Sequence, residues 1–122
     1  MIANRALERA NIIAKAIRDS GHEIVSPWVL GPIEGSNPNV INVFQRDMKA
    51  SETADAIVAD VSQPSLGVGM GIMAGYKAGK RIILVMKRGN ATSRMLEHMD
   101  KKEMLEFDDE KEIYSMLRGV LK

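Results

Sequence analysis

The 122-residue chain contains no cysteine. Disulfide bonds, a thiolate nucleophile and cysteine-ligated metals are thereby excluded, and the absence fits a reducing compartment. No apolar run reaches the roughly 20 residues that span a bilayer, and no signal-like apolar segment opens the chain, so a soluble cytoplasmic protein is expected. An excess of one charge is missing too. Lysine and arginine number 17 against 16 acidic residues, a formal net charge of +1. That balance argues against a broad nucleic-acid footprint or a membrane-surface patch. His22 and His98 are isolated, without ligand-like spacing, so neither a metal nor another cofactor is expected. The length suits a single domain over residues 1–122, large enough to build a core unaided.

Hydrophobic periodicity supplies the elements. Ala3 to Ser20 reads as an amphipathic helix, with Ala6, Leu7, Ala10, Ile13, Ala14 and Ile17 on one face. Arg5, Glu8, Arg9, Lys15 and Arg18 are expected mostly opposite, and Gly21 marks the end. Glu23 to Val29 is a strand candidate, interrupted by Pro27 and so placed at an edge or ending early. Leu30 to Asn37 reads as a loop, after which Asn37-Pro38 resembles an N-cap and first helical position. The helix is expected to reach Thr53 and to bury Val40, Ile41, Phe44 and Met48. Ala56 to Val61 and Arg81 to Met86 are apolar strands, and Met104 to Phe107 a short last one. Ser93 to Met99 is a short helix. Asp108 or Asp109 caps a final one reaching Leu121, with Ile113, Met116, Leu117 and Val120 inward. Helices alternating with short apolar strands call for a three-layer α/β domain around a parallel sheet.

The stretch from Ala54 to Lys80 carries the best candidate chemistry. Strand, polar turn Ser62-Gln63-Pro64, then a helix starting near Ser65 or Leu66 is the geometry that presents ligand groups beyond parallel strand ends. The unpaired N–H groups of such a helix start suit an anion. Glycines at 67, 71, 75 and 79, with Gly69 between, align along one helical face. They serve either close packing, within the fold or across a dimer, or a ligand laid against bare backbone. Ser65 is a plain N-cap or a phosphate-binding hydroxyl. Asp47, by pattern alone, is a solvated helix residue, and Trp28 is either a pocket wall or ordinary core.

Asp47, the run Ala54-Asp-Ala-Ile-Val-Ala-Asp-Val61 and the run Ser62-Gln-Pro-Ser-Leu-Gly-Val-Gly69 together resemble the nucleoside 2-deoxyribosyltransferase superfamily. The likeness is greatest to its 2'-deoxynucleoside 5'-phosphate N-hydrolase branch. It runs ungapped through Lys80-Arg81-Ile82 and more loosely over the whole chain. The resemblance implies a flavodoxin-like or Rossmann-like fold, a homodimer or larger assembly, and cleavage or transfer at the N-glycosidic bond of deoxynucleosides or their 5'-phosphates. Its chemistry is that of a carboxylate attacking the anomeric carbon. By the same resemblance, Asp47 lies near the deoxyribose and the reactive centre and is the candidate catalytic residue. Ser65 and the N–H groups of Leu66 and Gly67 contact the 5'-phosphate, with Gly69, Gly71 and Trp28 along the substrate.

Three departures shape the expectation. Gly71 stands where the family has its nucleophilic glutamate, and Met70, Ile72 and Met73 offer no replacement. Trp28 stands about where the nucleotide-hydrolase branch has a histidine. The family opens with a strand and a Gly-Ser loop, whereas this chain opens in the first helix, so a sheet without that first strand is expected. The leading expectation is a deoxynucleotide-binding protein whose catalysis is weak or lost. The alternatives are an active N-glycosidase or transferase using another carboxylate, such as Glu97 of the partner subunit, and a non-catalytic dimeric regulatory module.

Overall fold

A computed structural model describes residues 2–30 and 41–122, with the side chains of residues 2–4, 28 and 29 outside the description. The elements are α1 (Ile2–Asp19), a 3-10 turn (Pro27–Leu30), α2 (Val43–Thr53), β1 (Ala56–Asp60), α3 (Leu66–Lys77), β2 (Arg81–Lys87), α4 (Arg94–His98), β3 (Lys102–Phe107) and α5 (Lys111–Val120). The strands form a parallel sheet in the order β1-β2-β3, with Ile57 opposite Ile82 and Ile82 opposite Lys102.

The core follows from β2. A central parallel strand is covered on both faces, which is why its sequence reads as an unbroken apolar run. Ile83 and Val85 face one way, joining Ile13, Ala16, Phe107, Ile113 and Leu117 beneath α1 and α5. Ile82, Leu84 and Met86 face the other way, against Ile72 of α3. The result is the expected three-layer α/β arrangement.

Several local expectations change. Among the described residues no strand forms between 22 and 30. Pro27 instead opens the 3-10 turn, consistent with a residue that lacks a ladder N–H and has a fixed φ. The proposed cap at Asn37-Pro38, the burial of Val40 and most of the expected 30–37 loop lie outside the described residues. Within them, α2 starts later than expected, capped by Asn42, whose Oδ1 accepts the Gln45 N–H at 3.0 Å. Phe44, expected in the core, is 59% exposed because it falls in the first turn of this shorter helix. Arg9, expected at the surface, is 6% exposed. It precedes Ile13 by four residues and Ala16 by seven, and so lies on their buried stripe. The N-cap of the last helix is Glu110, without a side-chain cap bond, rather than Asp108 or Asp109. The Asp109 carboxylate accepts the Lys111 N–H, while Glu112 Oε1 accepts the N–H groups of Asp108 and Asp109.

Gly75 fixes the distance between α3 and the sheet. A Cβ on Gly75 would stand 2.4 Å from Ile57 Cγ1 and 3.0 Å from its Cδ1, closer than packed carbon atoms tolerate. Gly75→Ala is therefore expected to destabilise the fold by about 1–3 kcal/mol through overpacking, despite alanine's better helix propensity. A urea midpoint equal to or above that of the parent protein would contradict this packing account.

Candidate functional site

Helices α2 and α3 each end a few residues before a parallel strand begins. Their C-termini thus lie at one edge of the sheet, and their N-termini at the edge where the strands end. In open α/β sheets that second edge is where ligands bind. It is also where β1 hands over to α3.

The handover is built residue by residue. Val61 continues the ladder by donating its N–H to Val85 O at 2.8 Å. Asp60 Oδ1 then accepts the Ser62 N–H at 2.9 Å, and the buried Ser62 hydroxyl accepts the Lys87 N–H at 3.1 Å. Asn90 Nδ2 donates to Ser62 O at 2.6 Å, which ties the turn to the loop after β2. Gln63 and Pro64 lead outward to Ser65, the N-cap of α3, whose Oγ accepts the Val68 N–H at 3.3 Å. Capping uses an oxygen lone pair and leaves the Ser65 O–H available as a donor. The N–H groups of Leu66 and Gly67 occupy the first two helical positions, where no intrahelical acceptor exists. Added to the positive end of the helix dipole, they suit an anion.

The glycines divide by environment. Gly75 is a packing requirement, as shown above. A Cβ on Gly71 would meet the Ser51 hydroxyl of α2 at 3.5 Å, an ordinary contact, and one on Gly67 or Gly69 would meet nothing within 4 Å among the described residues. Among the described residues, packing therefore explains Gly75 alone of these four, and the glycines at the start of α3 meet no described side chain closely. Asp47 lies one turn before Ser51 on α2, toward the edge where the strands end. Its Oδ1 accepts a hydrogen bond from Arg46 Nε at 2.8 Å, and its side chain is about two-fifths exposed, at 42%.

Thus Ser65, Leu66, Gly67, Gly69 and Gly71 follow one another along the start of α3, with α2 alongside at Ser51. Trp28 sits in the 3-10 turn, and its side chain lies outside the described residues. On the opposite flank of α3 a shallow groove of about 260 Å³ runs between Gly69, Met73 and Tyr76 and the α4 segment of Met95, Leu96 and Met99. The Tyr76 hydroxyl donates to Asp100, and this bond to a carboxylate raises the phenol above its ordinary range. A second depression, beside Tyr114, Arg118 and Lys122, lies at the C-terminal end of α5, the far edge of the sheet. Among the described residues no three His, Asp or Glu side chains gather to hold a metal ion, and no helix is long and apolar enough to cross a membrane.

An α/β domain with an anion-ready helix start at the strand ends is the class this geometry defines. No protein-family model matches the chain. A curated relative from Methanococcoides burtonii is 30% identical over 87 residues, spanning 69% of this chain and 71% of its own length. One from Thermofilum pendens is 33% identical over 87 residues, spanning 68% of this chain and 59% of its own. Both carry the provisional name 2'-deoxynucleoside 5'-phosphate N-hydrolase 1. The chain belongs to this family, within the deoxyribosyltransferase-like superfamily. Among solved structures, the CMP N-glycosidase of Clostridium botulinum shares the fold, with a TM-score of 0.67, 21% identity, and coverage of 90% of this chain and 89% of that one.

The space at Gly71 yields a direct check. Gly71→Ala is expected to stabilise the protein by about 0.5–1 kcal/mol, the difference in helix propensity, because its Cβ meets only an ordinary contact. A loss of stability as large as that of Gly75→Ala, read from denaturant midpoints, would show that α2 and α3 cannot admit a side chain there.

Proposed function

We propose that this single domain, acting in the cytoplasm, binds deoxynucleosides or their 5'-monophosphates at the start of α3. The observation that carries the reading is the bare first turn of α3, set at the strand ends with the Ser65 hydroxyl and the N–H groups of Leu66 and Gly67 facing outward. A 5'-phosphate suits that turn. The sugar would then extend past Gly71, on the flank facing α2, toward Asp47. The names of the two curated relatives, which specify deoxynucleoside 5'-phosphates, support the same substrate class.

Cleavage of the N-glycosidic bond is weak or lost in this reading. A retaining mechanism needs a carboxylate within reach of the anomeric carbon to form the covalent intermediate. Gly71 occupies the position at which the resemblance puts that carboxylate, and a hydrogen atom cannot attack. Asp47, on the neighbouring helix, is then the carboxylate left to orient or activate water for direct displacement. An assay of free-base release from deoxynucleoside 5'-monophosphates tests the reading. The parent protein should release little base, and Gly71→Glu should increase release on the order of 100-fold or more, the scale on which a nucleophile matters. Rapid release by the parent, abolished in Asp47→Ala, would overturn the claim of lost catalysis. A Gly71→Glu protein that neither binds nor cleaves would overturn the account of Gly71.

The same proposal includes a homodimer formed through the outer face of α3. Leu66 is 91% exposed, Met70 and Met73 follow it at four- and three-residue steps, and Met95, 79% exposed, lies across the groove from Met73. Exposed apolar side chains grouped in this way are the kind of surface that marks an interaction site. Sedimentation should give a dimer for the parent at micromolar concentration and a monomer for Met70→Lys/Met95→Glu. A monomeric parent would contradict this part of the proposal.

A further inference from the structure

Arg9 is a buried charge that the site described above does not use. Its Nε donates to Asp60 Oδ2 at 2.5 Å, and its Nη1 stands 3.6 Å from Glu110 Oε1 at the start of α5. Asp60 is engaged on both oxygens, since its Oδ1 accepts the Ser62 N–H. Ser62, only 5% exposed, is held further by Lys87 N–H and Asn90 Nδ2. One polar network thus joins α1, the end of β1, the loop after β2 and the start of α5. Its outlet is the turn that delivers α3.

Burying a guanidinium costs more than a well-packed apolar side chain would, so an ion pair of this kind is weak evidence for stability alone. The Arg9 fork reaches separate carboxylates on two elements, which a lysine ammonium does not reproduce as a rigid unit. Beyond Ser62 only Gln63, Pro64 and Ser65 precede the first helical N–H, and Pro64 holds a fixed φ. An error in the orientation of Ser62 is therefore passed on to Leu66 and Gly67 with little slack to absorb it.

We propose that Arg9 is a positioning residue for the anion-binding turn. Through Asp60 it orients Ser62, and Ser62 sets the direction in which the Leu66 and Gly67 N–H groups meet a phosphate. The proposal rests on the reading of that turn as the phosphate site. It adds a selective consequence: loosening the Arg9–Asp60 link weakens recognition of the phosphate and leaves recognition of the nucleoside portion in place.

The test uses Arg9→Met, which keeps the apolar stem, Asp60→Asn, which keeps an acceptor for Ser62, and the double variant, which leaves neither charge unpaired at this link. Titration with a deoxynucleoside 5'-monophosphate and with the same deoxynucleoside should show affinity for the first falling by about tenfold and for the second by less than about twofold. In parallel, amide hydrogen exchange at Ser62, Val68 and Lys87, whose N–H groups are hydrogen-bonded within the turn, should quicken while Ile83 to Val85 keep their protection. Equal losses for both ligands, or unchanged exchange in the turn in folded variants, would overturn the proposal. Should a single variant fail to fold, the double variant carries both measurements. A parent protein that binds neither ligand would remove the phosphate reading, and exchange at Ser62, Val68 and Lys87 would still decide whether Arg9 positions the turn.

Discussion

The close approach of α3 to β1 at Gly75 is the constraint on which the rest depends. With no Cβ at that point, Ile57 reaches the helix backbone and Ile72 seals the space beside it against Ile82 and Leu84. The helix is thereby fixed in height over the sheet at its C-terminal half. Its N-terminal half continues from that contact as a rod, so Gly75 sets the height of the helix start over the sheet. The packing contact at Gly75 and the proposed anion turn share one helix without sharing residues.

That division makes Gly71 informative. A glycine required by packing could not be exchanged for a glutamate without rebuilding the fold. Gly71 is under no such requirement, since its missing Cβ faces a serine hydroxyl at ordinary distance. The lack of a side chain at position 71 is thus separable from the packing that Gly75 enforces. The same logic applies to Gly67 and Gly69, whose open surroundings leave room for a ligand or for another molecule against the helix start.

Legibility in the sequence tracked how local the cause was. The α3 start was readable because Pro64, Ser65 and the following glycines act within a few residues. The β2 run Ile82-Ile83-Leu84-Val85 was readable because burial on both faces leaves no polar position. The segment around Pro27 misled, since apolar content suggested a strand while the proline favoured a turn. Phe44 misled because its burial depended on a helix extending further back than α2 does. Arg9 was hidden by its residue type: charge implied solvent, although its spacing to Ile13 and Ala16 already put it on the core stripe. Its partner Asp60, 51 residues away, is visible only in three dimensions.

The central claim is that the first turn of α3 holds the phosphate of a deoxynucleotide, and its most direct measurement is a titration followed at backbone amides. Adding a deoxynucleoside 5'-monophosphate to the parent protein should shift the amide resonances of Leu66 and Gly67 first and furthest, with smaller changes at Gly71 and Asp47. Saturable shifts centred elsewhere, for instance in the depression beside Tyr114 and Arg118, would contradict the account, as would no shift at Leu66 and Gly67 at saturating ligand.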